Sequence, residues 1–123
     1  MRIPSPVEAA RLLAEAASRN PGPWVAHSQH VAGAARALAT QWPGMDPDVA
    51  YVVGLLHDIG RREGVTKMRH AIDGQRYLRG LGYEDAGRIC LTHSFVVQDI
   101  RACAGEWDCT PEELAAAEGD LAA

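Results

Sequence analysis

Residues 49–59 constrain the fold of this chain more than any other segment, because nearly all of them are apolar. Asp46 and Pro47 precede the run with a helix-start signal, and Gly60 follows it. A helix that is apolar on all sides is buried by other helices. We therefore expect a central buried helix that Gly60 ends in a left-handed conformation.

The rest of the chain also has helical spacing of its apolar residues, and strand signals are almost absent. Ser5, Pro6 and Glu8 form a capping box at the start of the first helix, which Asn20 stops. We expect one all-α domain, 1–123, built as a compact bundle of six or seven helices. The later predicted helices are 24–42, 47–59, 68–81, 84–92, 96–107 and 111–121, with a charged loop at 61–67.

Composition excludes several classes of protein. With 47% hydrophobic and 23% charged residues among 123, the chain is expected to fold as one globular domain. A net charge of −4 argues against nucleic acid as a partner, and no apolar run is long enough for a membrane helix. The cysteines Cys90, Cys103 and Cys109 form no CxxC pair, and with no signal peptide they favour reduced thiols in the cytoplasm.

His57 and Asp58 stand side by side at the end of the apolar run. Burying both costs free energy unless something pairs with them. On a continuous helix they point about 100° apart, so a metal ion could touch both only from the flank between them. Alternatively, Asp58 pairs with Arg61 or Arg62, and His57 supports the helix end. Spacing alone leaves both interpretations open.

Histidines occur in four separated segments: residues 24–28 read WVAHS, 57–60 read HDIG, 69–74 read RHAIDG and 91–94 read LTHS. These segments are similar to the motifs of the HD-domain metal-dependent phosphohydrolases. HDIG is the motif that names the subgroup which this chain resembles most closely. The resemblance extends over nearly the whole chain, and it implies an HD-domain helical bundle.

The resemblance also implies a set of metal ligands. His27, His57 and Asp58 would hold a first divalent ion, and His70 and His93 would complete a second. Asp58 would bridge the two ions and orient or deprotonate the attacking water, so it is the predicted catalytic residue. Mixed nitrogen and oxygen ligands accept Mn, Fe, Ni, Co or Zn, and the sequence does not distinguish among them.

One element of the family pattern is missing. The pattern ends with an aspartate on a later helix, and relatives continue past the point where this chain stops. We expect the chain to lack that ligand and the family's final helix, either as a natural short form or as a fragment, since the surroundings of Asp99 and Asp120, which could substitute, do not match the family segment. Apolar surface exposed in this way would favour a homodimer.

The implied substrate is a nucleotide or another small phosphate ester. Arg61, Arg62 and Lys67 follow the HDIG motif and are candidates to bind its phosphate, although a solvated charged loop is the alternative. His30 is expected to lie outside the ligand set. Two other functions remain open: a di-iron oxygenase of the HD type, and a metal-binding regulatory module without turnover.

Overall fold

The computed structural model describes residues 1–64 and 69–92, which form five α-helices and a short 3₁₀ helix. No strand occurs in these two ranges, so the all-α prediction is confirmed. The predicted helices 96–107 and 111–121 lie outside the described residues. The helices are α1 Pro6–Arg19, α2 Pro23–Thr40, α3 Pro47–Leu56, the 3₁₀ helix Ile59–Glu63, α4 His70–Gly80 and α5 Glu84–Thr92.

Local capping explains where α1 and α3 begin. Ser5 Oγ accepts the N–H of Glu8 at 3.2 Å, and Asp46 Oδ1 accepts the N–H of Asp48 at 2.9 Å. These side chains satisfy N–H groups that have no partner within the first turn of a helix. A proline follows each cap, where its missing N–H costs nothing. Both predicted starts are confirmed.

The predicted end of α3 is wrong. The helix ends at Leu56, and Gly60 is not among the described glycines with positive φ. A Cβ on Gly60 would collide with the His70 carbonyl oxygen and lie 2.6 Å from Gly74 N. Glycine is therefore required because the 3₁₀ helix approaches α4 closely, and the predicted charged loop begins as that 3₁₀ helix.

The core forms where α3 packs against α1, α2 and α5. Only part of α3 is fully buried, because Val49, Ala50 and Val53 are half-buried on another side of the helix. Within the two described ranges, no helix has the length and apolar character needed to span a bilayer. Fully buried core side chains include Leu12, Val52, Leu55, Leu56, Ile59 and Leu78.

The closest approach between α2 and α3 is at Gly54. A Cβ on Gly54 would lie 2.6 Å from Ala32 Cα and 2.8 Å from Ala32 N. Those atoms belong to the backbone of α2 and cannot move aside as a flexible side chain would. The two helices therefore cross at van der Waals distance only because position 54 has no side chain.

The 3₁₀ helix is attached to α1 and α4 by Arg62. Its guanidinium lies 3.3 Å from Glu15 and 2.9 Å from Glu63, and it stacks 4.0 Å from the ring centroid of Tyr77. Only 9% of the Arg62 side chain is exposed. Asn20, at the end of α1, donates its side-chain N–H to the carbonyl of residue 61 at 2.7 Å. These contacts fix the segment that comes after Asp58.

We predict opposite effects on stability for two glycine substitutions. Gly54→Ala forces α2 and α3 apart and should lower the free energy of unfolding by about 2 kcal/mol. Gly33→Ala places its methyl group on α2 with no atom within 4 Å, and should raise that free energy by about 0.5–1 kcal/mol. Urea unfolding followed by circular dichroism measures both. Equal free energies of unfolding for the two variants would contradict the conclusion that α2 and α3 cross at backbone distance at Gly54.

A second prediction concerns Arg62. Arg62→Met removes two ion pairs and the stacking on Tyr77 from a buried position, so it should lower the free energy of unfolding by about 2 kcal/mol. Arg11 is a matched control because it pairs with Glu8 and Glu15, yet 59% of its side chain is exposed. Arg11→Met should unfold close to the wild-type temperature. An equal loss in both variants would show that burial of Arg62 is unimportant.

Candidate metal centre

The end of α3 holds His57 in one orientation. Its Nδ1 lies 2.7 Å from the carbonyl oxygen of Gly54. Because a carbonyl oxygen only accepts hydrogen bonds, Nδ1 carries a proton and donates it. The free lone pair of the neutral ring is then on Nε2. Metal-binding histidines are commonly supported in this way, with the other ring nitrogen donating to a carbonyl or carboxylate.

Histidines from three parts of the fold meet at the carboxylate of Asp58. Its Oδ2 lies 3.2 Å from Nε2 of His57 and 3.9 Å from Nε2 of His27, and its Oδ1 lies 3.1 Å from Nε2 of His70. Asp58 and His70 are buried, whereas 57% of the His27 side chain is exposed. The cluster is therefore accessible to solvent on the side of His27.

The position between His57 and Asp58 favours a positive charge. In the neutral tautomer, the lone pair of Nε2 would face a carboxylate oxygen 3.2 Å away, and the two would repel. Burial lowers the pKa of His57, but the hydrogen bonds to the Asp58 carboxylate and the Gly54 carbonyl raise it more, so the pKa lies above the usual 6.5. This position therefore favours a proton on Nε2 of His57, and a bound metal would replace that proton.

The donor atoms fit a divalent transition metal. One atom each from His27, His57 and Asp58 can be chosen so that all lie within 4.8 Å of one another. Ligands about 2.1 Å from one ion lie about 3.0 to 3.4 Å apart, so modest side-chain movement brings the three atoms into range. Two imidazole nitrogens and a carboxylate oxygen suit Mn, Fe, Co, Ni or Zn. The three side chains can therefore hold one ion.

The two arginines after the motif are placed differently. Nε of Arg61 lies 3.9 Å from Asp58 Oδ2, and about a third of the side chain is exposed. Arg62 instead contacts Glu15 on α1 and Tyr77 on α4, so the structure brings only the first arginine to the centre. Binding of phosphate by Arg61 and by Arg62 remains a prediction. Lys67 and His93 lie outside the described residues.

His30 lies one turn beyond His27 on α2, is exposed, and does not belong to the ligand group found among the described residues. Sequence reasoning missed the Gly54 carbonyl as a partner of His57. A local signal for it exists, because carbonyls in the last turn of a helix lack intrahelical partners. The contact between Asn20 and the carbonyl of residue 61 has no such signal, since the two residues are 41 positions apart.

A comparison with protein-family models matches residues 24–116 to the HD domain. The chain belongs to the HD-domain family. Membership places it in a superfamily of metal-dependent hydrolases, and the matched range includes the cluster of His27, His57 and Asp58. Searches of curated proteins and of solved structures each find no match. The HD match and the donor geometry therefore point independently to a metal centre.

We predict that Asp58→Asn lowers the pKa of His57 in the metal-free protein. The substitution replaces the charged carboxylate by a neutral amide, a weaker acceptor, so the Gly54 carbonyl becomes the main group that opposes the lowering of the pKa by burial. A raised pKa in the folded state stabilises the protein below the unfolded-state value of about 6.5, and that stabilisation is lost as pH rises through the folded-state pKa. The variant should lose this pH dependence.

Titration of the His57 ring by NMR measures the shift. Asp48→Asn is the matched control because Asp48 lies at the start of α3 and pairs with Arg36 at 3.1 Å, away from the cluster. It should leave the pKa of His57 unchanged. The same His57 pKa in wild type and Asp58→Asn would show that the carboxylate does not act on this ring.

Proposed function

We propose that this chain is an HDIG-type, metal-dependent phosphohydrolase that cleaves the ester bond of a small phosphorylated molecule. One observation carries the proposal: His57 Nε2 faces the Asp58 carboxylate at 3.2 Å while the Gly54 carbonyl engages Nδ1. That arrangement calls for a cation, and His27 is positioned to share it. Residues 57–60, which read HDIG, support the subgroup.

A second metal ion is part of the proposal. The two oxygens of Asp58 face different histidines, with His27 and His57 on Oδ2 and His70 on Oδ1. A carboxylate that bridges two ions gives one oxygen to each, so this division of partners supports a bridging role. His93 is the further ligand that we propose for the second ion.

The proposed chemistry follows from the same residues. A divalent metal held by His27, His57 and Asp58 would supply a water of lowered pKa and polarise the phosphoryl group. Asp58 would orient this water as its proton leaves. The water oxygen bonds to phosphorus, the ester P–O bond breaks, and the proton passes to the departing alcohol, so that the products are an alcohol and inorganic phosphate. Arg61, partly exposed beside Asp58, binds phosphoryl oxygens through its planar guanidinium.

The test combines metal content with hydrolysis. His57→Ala and Asp58→Ala should lose the bound metal and reduce hydrolysis of a generic phosphate monoester at least about 100-fold, while helical content is retained. His30→Ala is the control, and it should keep both metal and activity. Elemental analysis and phosphate release measure the two properties. Wild-type metal content in the His57 and Asp58 variants would refute the site.

Two other functions predict different results in the same experiments. A di-iron oxygenase would contain iron and consume oxygen without releasing phosphate. A regulatory module would bind metal with the same dependence on His57 and Asp58 but would turn over no substrate. Phosphate release by the manganese-loaded or iron-loaded protein, lost in Asp58→Ala, separates the hydrolase from both.

A further inference from the structure

A cavity of about 710 Å³ is lined by residues of α2, α3 and α5 and touches one member of the ligand group, His57. Its volume falls within the range of small-molecule sites, about 300 to 1,000 Å³. His57 lines this cavity and also belongs to the ligand group. A substrate held at the metal centre would therefore have the cavity directly beside it.

Helical spacing explains why the cavity continues from the metal centre. On α2, Val31 and Ala35 follow His27 at steps of four residues, and on α3, Val53 precedes His57 by four. Residues four apart lie on the same face of a helix. Each helix thus presents one stripe that includes a metal ligand and, further along, a cavity wall. The two stripes form a groove that leads away from the ligands.

The walls of the cavity are apolar. Among the described residues that line it, only His57 and Asp46 have polar side chains, and none is a lysine or arginine. No described wall therefore offers a lysine or arginine side chain to pair with a second phosphate group. The apolar side chains that line the cavity include Val31, Ala35, Val49, Ala50, Val53 and Ile89.

The start of α3 also disfavours a second phosphate group in the cavity. Asp46 Oδ1 accepts the N–H groups of Asp48 at 2.9 Å and Val49 at 3.4 Å, so the helix N-terminus is already capped. A free helix N-terminus would attract phosphate, but here a carboxylate occupies that place. A polyphosphate that extended along the cavity would meet this negative charge, whereas an apolar group would be undisturbed.

We propose that the cavity binds the apolar organic part of the substrate, and that the substrate is a phosphate monoester of an apolar alcohol rather than a polyphosphate. This inference rests on the proposed hydrolase function, because it assumes that the phosphate is held at His27, His57 and Asp58. The half-buried face of α3 formed by Val49, Ala50 and Val53 supplies the contact surface.

The first experiment measures the binding of non-hydrolysable alkylphosphonates to the metal-loaded full chain by titration calorimetry. From methylphosphonate to octylphosphonate, affinity should rise about fourfold for each methylene that enters the cavity. A nucleoside monophosphate should bind more weakly than octylphosphonate, because the polar groups of its ribose and base would lose their hydrogen bonds to water and find no partners on the apolar walls. Equal affinity along the alkyl series would overturn the inference, and a cavity filled by another part of the chain or by a second copy would give that result.

Variants locate the effect in the cavity. Val53→Phe fills part of the cavity from α3, and should weaken octylphosphonate binding at least tenfold while leaving methylphosphonate binding unchanged. Ala35→Phe, which fills the cavity from α2, should have the same effect on binding. Because the two variants lie on different helices, a folding defect in one would not explain the result in both. Leu38→Phe is the control, since Leu38 is 71% exposed and does not line the cavity. Unchanged octylphosphonate affinity in both cavity variants would overturn the assignment.

A parallel assay separates this inference from the proposed function. Hydrolysis of p-nitrophenyl phosphate tests the function with an ester that does not depend on a long apolar chain. Hydrolysis together with a flat alkyl series would overturn the cavity assignment and leave the function standing. A steep alkyl series without hydrolysis of any phosphate ester would support the cavity assignment and refute the hydrolase.

Discussion

The contact between Gly54 and Ala32 is the constraint on which the metal centre depends. It lets α2 and α3 cross at backbone distance. His27 lies five residues before Ala32 and His57 lies three residues after Gly54, so each ligand is about one helical turn from the crossing. The carbonyl oxygen of Gly54 also accepts a hydrogen bond from the ring Nδ1–H of His57. A single residue therefore sets both the distance between the ligand-bearing helices and the tautomer of one ligand.

Asp58 is buried, and an unpaired buried carboxylate is costly. Histidines at 3.1 and 3.2 Å and Arg61 at 3.9 Å offset that cost. Two residues of the adjoining 3₁₀ helix fix the position of the carboxylate further, since Gly60 packs on the backbone of α4 and Arg62 attaches to α1. The fold thus holds a buried negative charge beside two histidines, His27 and His57, that could share a metal ion with it.

The parts of the structure that sequence can predict depend on neighbouring residues. Ser5 and Asp46 cap the helices that they directly precede, so pattern and local chemistry are sufficient to predict those starts. The prediction for Gly60 is wrong because glycine after an apolar helix is typical of a left-handed end, whereas here it permits contact with His70 and Gly74. Arg62 resembles a solvated loop residue in the sequence, yet its partner Glu15 lies 47 positions away. Contacts over such distances leave no periodic signal in one sequence.

The early end of α3 has the largest consequence for the chemistry. Had the helix continued to Ile59, His57 and Asp58 would point about 100° apart, and an ion could reach both only from the flank between them. His57 keeps α-helical dihedral angles (φ −60°, ψ −29°), and the backbone departs from them at Asp58 (φ −111°, ψ 16°), just before the 3₁₀ helix begins at Ile59. The carboxylate then lies 3.2 Å from the His57 ring and near His27 on α2. The departure from helical geometry at Asp58 therefore accompanies the meeting of two adjacent side chains in one site.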